Sequence, residues 1–241
     1  FGGKTSLYSE EIVACAVSRD LGRPVKWVSD RTEDLMTTGH AFDEIVDAEI
    51  AVAGDGEILA LRADVIGDVG AYSIYPWTAT IEPVQVVSFL PGPYRIENYA
   101  ARVRSVATNK TLTGAYRGVG RPISAFVMDR LLDMAARKIG MDPVDIRRRN
   151  LLKDDEFPYK AASGLVWDKS AFQACLADAE KEIGYEELKK EQAAAREEGR
   201  WLGIGVSSYA ELTGVGSRIA VAPGMPINTG TETCNVAIDS T

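Results

Sequence analysis

Residues 114–122 read Gly-Ala-Tyr-Arg-Gly-Val-Gly-Arg-Pro and carry residue types suited to holding an anion. The three glycines allow positive φ angles and a close approach of the backbone to a ligand. Two arginines, Arg117 and Arg121, stand among them, and Pro122 suits the first turn of a helix. A glycine loop that leads into a helix N-terminus offers free N–H groups to an anion. The alternative is a tight turn with solvated arginines.

Residues 1–6, Phe-Gly-Gly-Lys-Thr-Ser, form a second pattern with chemistry in it. Gly-Lys-Thr is the end of a phosphate-binding loop, which also requires a glycine upstream and an aspartate after an apolar strand. Asp64 and Asp68 are the available aspartates, but Ala63 and Gly67 precede them in place of large apolar residues. A P-loop nucleotide hydrolase is therefore kept as an alternative.

The composition narrows the class of protein. A net charge of −8 argues against nucleic acid as a partner. The sequence contains no apolar run long enough to span a membrane. Three scattered cysteines and one histidine leave little material for a metal site or a histidine-dependent triad. Sparse, unpaired cysteines suggest a reducing compartment, so we expect a cytoplasmic protein.

The elements that must position the glycine loop can be read from periodicity. Apolar spacing predicts helices over residues 6–21 and 123–139, and Asp142 followed by Pro143 predicts the start of another helix. The basic run of residues 147–149 at its end is expected to be solvated or paired with the helix dipole. Gly-Asp-Gly at residues 54–56 predicts a hairpin between two strands. The fold class is α+β, that is, mixed α/β.

Two domains are expected, joined by a polar linker. Residues 1–153 form the first, residues 154–167 the linker, and residues 168–241 the second, with Asp168 capping a helix over residues 169–183. The chain starts at Phe1 without a signal peptide and ends in an alternating strand over residues 234–239. We therefore expect a fragment of a longer protein.

Three motifs in this order resemble a known family. They are Phe-Gly-Gly-Lys at residues 1–4, the glycine loop, and Gly-Met-Asp-Pro-Val-Asp-Ile-Arg-Arg-Arg-Asn-Leu from residue 140. The set resembles the molybdopterin-binding large subunit of the molybdenum hydroxylases. That family includes xanthine dehydrogenase, aldehyde oxidase and the aerobic carbon monoxide dehydrogenases. The resemblance spans nearly the whole chain and implies parts of two molybdopterin-binding domains.

The resemblance implies a molybdenum pyranopterin cofactor, in the cytosine dinucleotide form. It places Phe1, Gly2, Arg117 and Gly118 at the cofactor, with no direct metal ligand in this chain. It also implies iron–sulfur and flavin (FAD) cofactors on partner subunits or domains, and contact with the rest of the large subunit. The implied reaction is hydroxylation of a small molecule, an aldehyde or an N-heterocycle, with oxygen from water.

Departures from the family pattern bear on the substrate. Gly118 stands where the copper-containing carbon monoxide dehydrogenases have a cysteine, so a copper ligand is missing. Thr5, Gln85 and Val119 replace the residues that grip purine in the purine-oxidising enzymes. We therefore expect a substrate other than purine.

The catalytic glutamate of the family lies beyond Thr241, so the resemblance assigns no catalytic residue to this chain. We expect the isolated fragment to be inactive. A module that binds a pterin or nucleotide without catalysis is the other alternative.

Overall fold

A computed structural model of the chain describes residues 3, 6–73, 80–211, 219–222 and 225–227. Residues 1–209 form one compact unit, and residues 210–241 form a second. In the described part of the first unit the helices are α1 Ser9–Leu21, α2 Arg31–Thr37, α3 Ile81–Phe89, α4 Arg121–Ile139, α5 Pro143–Asn150, α6 Phe172–Ile183 and α7 Tyr185–Glu197. Its strands are β1 Asp43–Val52, β2 Ile58–Gly70, β3 Tyr99–Ala107, β4 Tyr159–Lys160 and β5 Val166–Trp167. This mixture confirms the expected fold class.

The main sheet has the strand order β1-β2-β3. β1 and β2 form the predicted antiparallel hairpin, in register from Asp43 opposite Asp68 to Ala51 opposite Ala60. Its turn contains Gly56 at φ +83°, and the side chain of Asp55 accepts from the N–H of Glu57. β3 pairs with β2 in parallel, after a connection that contains α3. The sequence patterns did not predict this pairing.

α3 and α4 cover the inward face of the sheet. The core beneath them contains Leu61 and Val65 from β2, Val86 from α3, and Leu132 and Ala136 from α4. Alternate residues of β1 starting at Glu44 point inward, while their neighbours are exposed. A Cβ on Gly67 of β2 would lie 2.7 Å from the ring of Pro83, so the first turn of α3 lies directly against the end of β2.

The buried face of α4 differs from the apolar stripe read in the sequence. Phe126 and Met134 are among the apolar residues whose spacing predicted the helix over residues 123–139, yet they are 67% and 55% exposed. The buried positions are Ser124, Met128, Asp129, Leu132, Ala135 and Ala136. Polar residues occupy two of these positions because they have partners on other elements, a fact that hydrophobic periodicity does not reveal.

Arg147 is the clearest exception to the expected solvated basic run. Its side chain is 0% exposed. Nη2 lies 2.9 Å from Asp129 Oδ1 and Nη1 lies 2.9 Å from Asp133 Oδ1, and Nη1 also donates to the carbonyl oxygen of Pro143. Ser207 donates to the other carboxylate oxygen of Asp129. The expectation was wrong for Arg147, because α4 places two carboxylates against it.

Two local predictions at the end of the first unit also differ. Asp168 does not cap a helix: α6 starts at Phe172, its N-cap is Ala171, and no side chain caps it. Residues 202–209, which alternate between polar or glycine and apolar positions much as a strand would, form irregular backbone without a strand neighbour in the described part of the chain. Within the predicted linker, β4 and β5, each two residues long, pair as an antiparallel hairpin. The assignment of two domains about this linker stays a prediction.

In the second unit, β6 Ile219–Ala222 and β7 Met225–Ile227 pair as an antiparallel hairpin. The strand predicted over residues 234–239 lies outside the described residues. None of the helices in the described ranges is both long enough and apolar enough to span a lipid bilayer.

Replacing Arg147 with alanine should destabilise the protein by about 3–5 kcal/mol, because the change leaves Asp129 as an uncompensated buried charge and removes the partner of the partly exposed Asp133. Arg148→Ala is the matched control on the same helix. The Arg148 side chain is 43% exposed, and its ion pairs with Asp145 and Glu180 should contribute at most about 1 kcal/mol. Urea unfolding of both variants measures the difference. Equal losses in the free energy of unfolding for the two variants would show that the ion pairs of Arg147 contribute no more than the exposed pairs of Arg148.

Candidate functional site

The glycine loop lies between a short bridge to residue 40 and the start of α4. His40 and Thr113 pair in parallel, and the N–H of Gly114 donates to the carbonyl oxygen of His40 at 3.1 Å. At the other end Gly120, at φ +70°, is the N-cap of α4, and Pro122 lies in the first turn. The predicted glycine loop that leads into a helix N-terminus is confirmed.

The two inner glycines of the loop are required by close packing as well as by their φ angles. A Cβ on Gly120 would lie 2.4 Å from the carbonyl oxygen of Glu82 and 2.8 Å from the backbone nitrogen of Val86. A Cβ on Gly118, whose φ is +105°, would lie 2.7 Å from the ring of Pro122. No side chain fits at Gly120, so the loop packs directly on the first turn of α3.

The two arginines of the loop have different environments. Arg121 donates from Nη1 to the carbonyl oxygen of Gly118 at 2.7 Å, and its guanidinium lies 4.6 Å from the centroid of the Phe89 ring. Arg117 is exposed, and within the described part of the chain its side chain has no hydrogen-bond or ion-pair partner. Arg121 therefore stabilises the loop, while Arg117 remains available to a ligand.

A pair of buried glutamates lies behind the loop, and the sequence reasoning missed both. Glu82, on the first turn of α3, is 1% exposed, and burial raises its pKa to about 7. Burial, followed by the charge of Glu82, raises the pKa of Glu44 to about 7. Neither carboxylate oxygen of Glu44 has a partner within the described residues. The signal was present in the sequence, because Glu44 occupies an inward position of an alternating strand.

The structure brings four of the predicted site residues to one place. Arg117, Gly118 and Val119 are consecutive in the loop, and the Cβ of Gln85 would lie 2.9 Å from a Cβ on Gly120. The side-chain oxygen Oε1 of Gln85 is buried without a partner in the described residues. The remaining predictions at this site, Phe1, Gly2 and Thr5, fall outside the described residues.

The donors of the loop fit an anionic, oxygen-rich group. The backbone N–H groups of Arg117 and Gly118 donate no hydrogen bond among the residues that the structure describes. Together with the guanidinium of Arg117 they form a set of donors without acceptors, next to the N-terminus of the 19-residue helix α4. In the described ranges, no group of three or more His, Cys, Asp or Glu side chains is arranged to hold a metal ion.

A family model identifies the class of this chain. The model of the molybdopterin cofactor-binding domain matches residues 1–151, more than half of the chain. The chain belongs to this family.

Individual relatives agree with this class. The nicotine 6-hydroxylase large subunit of Paenarthrobacter nicotinovorans is 33% identical over 100% of this chain and 29% of that protein. The carbon monoxide dehydrogenase large chain of Hydrogenophaga pseudoflava is 35% identical over 90% of this chain and 27% of that protein. The crystal structure of quinoline 2-oxidoreductase from Pseudomonas putida 86 superposes with a TM-score of 0.86 and 38% identity, over 90% of this chain and 28% of that one. The resemblance to the molybdenum hydroxylases is confirmed, and the chain spans less than a third of these relatives.

The glutamate pair should make stability depend on pH. Because the pKa of Glu44 is raised from 4.5 to about 7, the folded state retains a proton that the unfolded state releases. The free energy of unfolding should therefore fall as the pH rises from 4.5 through 7. Glu44→Gln should reduce that fall by at least about 1 kcal/mol, as measured by urea unfolding at pH 5 and pH 8.

Glu49→Gln is the control for this prediction. Glu49 lies on the same strand but on the exposed face, where it pairs with Arg62. Its replacement should change stability by less than about 1 kcal/mol at either pH. If Glu44→Gln loses as much stability between pH 5 and pH 8 as the wild type, the buried carboxyl is not responsible.

Proposed function

We propose that this chain is part of the large subunit of a molybdenum-dependent oxidoreductase that hydroxylates an N-heterocycle or an aldehyde, with oxygen from water. The observation that supports this best is the exposed guanidinium of Arg117, which has no partner among the described residues. It stands on the glycine loop of a chain that matches the molybdopterin cofactor-binding family. A fork of N–H donors with a permanent charge suits an anionic, oxygen-rich ligand.

Each residue of the loop has a proposed part in this function. The guanidinium of Arg117 and the N–H groups of Arg117 and Gly118 would hold the cofactor, together with Phe1 and Gly2. When bound, a molybdenum pterin would supply the two-electron oxidation of the substrate carbon. Arg121 keeps the loop in shape by its hydrogen bond to Gly118 and its contact with Phe89.

The proposed substrate class is the N-heterocycle, with aldehydes second. Two relatives are named for N-heterocycles, nicotine and quinoline. Thr5, Gln85 and Val119 are the proposed pocket residues. Gln85 is a neutral amide and Val119 is aliphatic. The resemblance matches them to a cation and an aromatic ring of the purine-oxidising enzymes, and neither side chain provides these groups. An aromatic N-heterocycle of low polarity fits this pair better than a purine does.

The wider organisation of the enzyme is also proposed. The cofactor would carry a cytosine dinucleotide, and electrons would pass to iron–sulfur and FAD-containing partner subunits or domains in a cytoplasmic complex. Names that contain "large subunit" or "large chain" among the relatives support an assembly of several subunits. Residues 1–153 and 168–241 would belong to two molybdopterin-binding domains joined by residues 154–167. The matched range, which ends at residue 151, supports the first boundary.

Arg117→Ala in the full-length enzyme should lower the molybdenum content or kcat by at least about tenfold, the equivalent of ~1.4 kcal/mol. The reason is the loss of the one unpaired cation of the loop. Arg121→Ala is the matched control in the same loop and should chiefly lower the thermal stability, because Arg121 contacts Gly118 and Phe89. Metal analysis and steady-state kinetics, at matched circular dichroism, give both values. Near-wild-type results for Arg117→Ala would remove the loop from the cofactor site.

Xanthine should be a poor substrate of the full-length enzyme. With Gln85 and Val119 in the proposed pocket, its kcat/KM should lie at least about a hundredfold below that for the best N-heterocycle or aldehyde, a difference of ~2.7 kcal/mol. A steady-state survey of xanthine, quinoline, nicotine and simple aldehydes provides the comparison. Comparable turnover of xanthine would contradict the proposed substrate class.

A further inference from the structure

The turn that contains Arg117 and Gly118 is strained. Gly118, Val119 and Gly120 have consecutive positive φ angles of 105°, 44° and 70°. Val119 is β-branched, and a positive φ at such a residue is a genuine outlier that costs free energy. Strain of this kind persists only where the surrounding structure enforces it. Some contact must therefore hold the turn in this conformation.

The carboxyl of Glu82 makes that contact. Its Oε1 accepts a hydrogen bond of 2.7 Å from the N–H of Tyr116, which directly precedes Arg117. Gly120, at the other end of the turn, packs on the backbone of the same residue, since a Cβ on Gly120 would lie 2.4 Å from the carbonyl oxygen of Glu82. The turn is closed between these two points by a hydrogen bond of 2.8 Å from the N–H of Val119 to the carbonyl oxygen of Tyr116. Glu82 thus fixes one end of the turn through its carboxyl and meets the other end through its backbone.

Glu82 is well placed to act as a fixed support. It is 1% exposed and lies in the first turn of α3, a helix packed against the sheet and α4. The hydroxyl of Ser124 on α4 donates to the carbonyl oxygens of Val86 and Gly120, which joins the two helices next to the turn. Because both helices are anchored in the core, Glu82 can impose a geometry on the turn.

We infer that Glu82 is a positioning residue for the cofactor loop: its buried carboxyl holds the strained turn of residues 116–120 so that the guanidinium of Arg117 and the free N–H groups face the ligand. Glu82 itself does not touch the cofactor. The inference rests on the proposed function for the identity of the ligand. The hold on the turn is a property of this chain alone and can be measured without any ligand.

The test compares Glu82→Leu with Glu82→Gln in the full-length chain. Leucine removes the acceptor for the N–H of Tyr116, whereas the glutamine amide retains an acceptor oxygen. Leu132→Ala is the control, because Leu132 is fully buried and its truncation weakens the core without touching the turn. Hydrogen exchange of the peptide over residues 112–122 reports on the turn itself and is measured in cofactor-free protein, produced in cells that cannot synthesise molybdopterin. Molybdenum content and steady-state kinetics are then measured in protein produced in cells that can.

Glu82→Leu should speed exchange in this peptide by about five- to tenfold, the effect of one lost hydrogen bond on local opening. It should also lower the molybdenum content, and the kcat per bound molybdenum, by at least about fivefold. Glu82→Gln should keep the exchange rate, the molybdenum content and the kcat per bound molybdenum near their wild-type values. Leu132→Ala should also leave these three quantities near wild type in the folded protein.

Unchanged exchange in Glu82→Leu would overturn the inference, and so would faster exchange with wild-type molybdenum content and kcat. The proposed function has its own test in Arg117→Ala, so either failure can be assigned to the right claim. A loss of metal in Leu132→Ala equal to that in Glu82→Leu would also overturn the inference, because general instability would then explain the loss.

Discussion

The buried guanidinium of Arg147 sets the arrangement on which the rest of the first unit depends. A full charge in the interior must be compensated, so α4 and α5 can pack only in the register that brings Asp129 and Asp133 to it. Asp129 is shared with Ser207, which ties a late segment of the chain to the same point. With α4 held in this way, its N-terminus and the glycine loop before it have a definite position over the end of the sheet.

That position explains why the loop can hold an unfavourable backbone conformation. α3 and α4 meet at their first turns, and Gly120 lies so close to Glu82 that no side chain fits between them. The positive φ of Val119 costs free energy locally, and the hydrogen bond from Tyr116 to Glu82 and the contacts of Arg121 offset it. The strained residue and the contacts that stabilise it are neighbours, an arrangement common where a backbone must present donors to a ligand.

The same loop shows how two identical side chains acquire different roles. Arg117 and Arg121 are four residues apart, and both were reasonable anion ligands on sequence grounds. Arg121 turns back to the Gly118 carbonyl and the Phe89 ring, while Arg117 remains exposed. The ring of Phe89 lies on another helix, so only the fold could separate the support from the available cation.

The sequence by itself determined the features that depend on neighbours along the chain. Gly54 and Gly56 predicted the hairpin, and Asp142 and Pro143 predicted the start of α5. Gly140 marks the end of α4, and the glycine loop predicted its start. These features can be read locally because turns and caps are closed by bonds between nearby residues. The tertiary structure decided the rest: the parallel pairing of β3, the burial of Arg147, and the meeting of Glu44 with Glu82 behind the loop. Each of these joins residues more than ten positions apart. Their free energies come from burial and charge compensation in the folded chain, which no local pattern encodes.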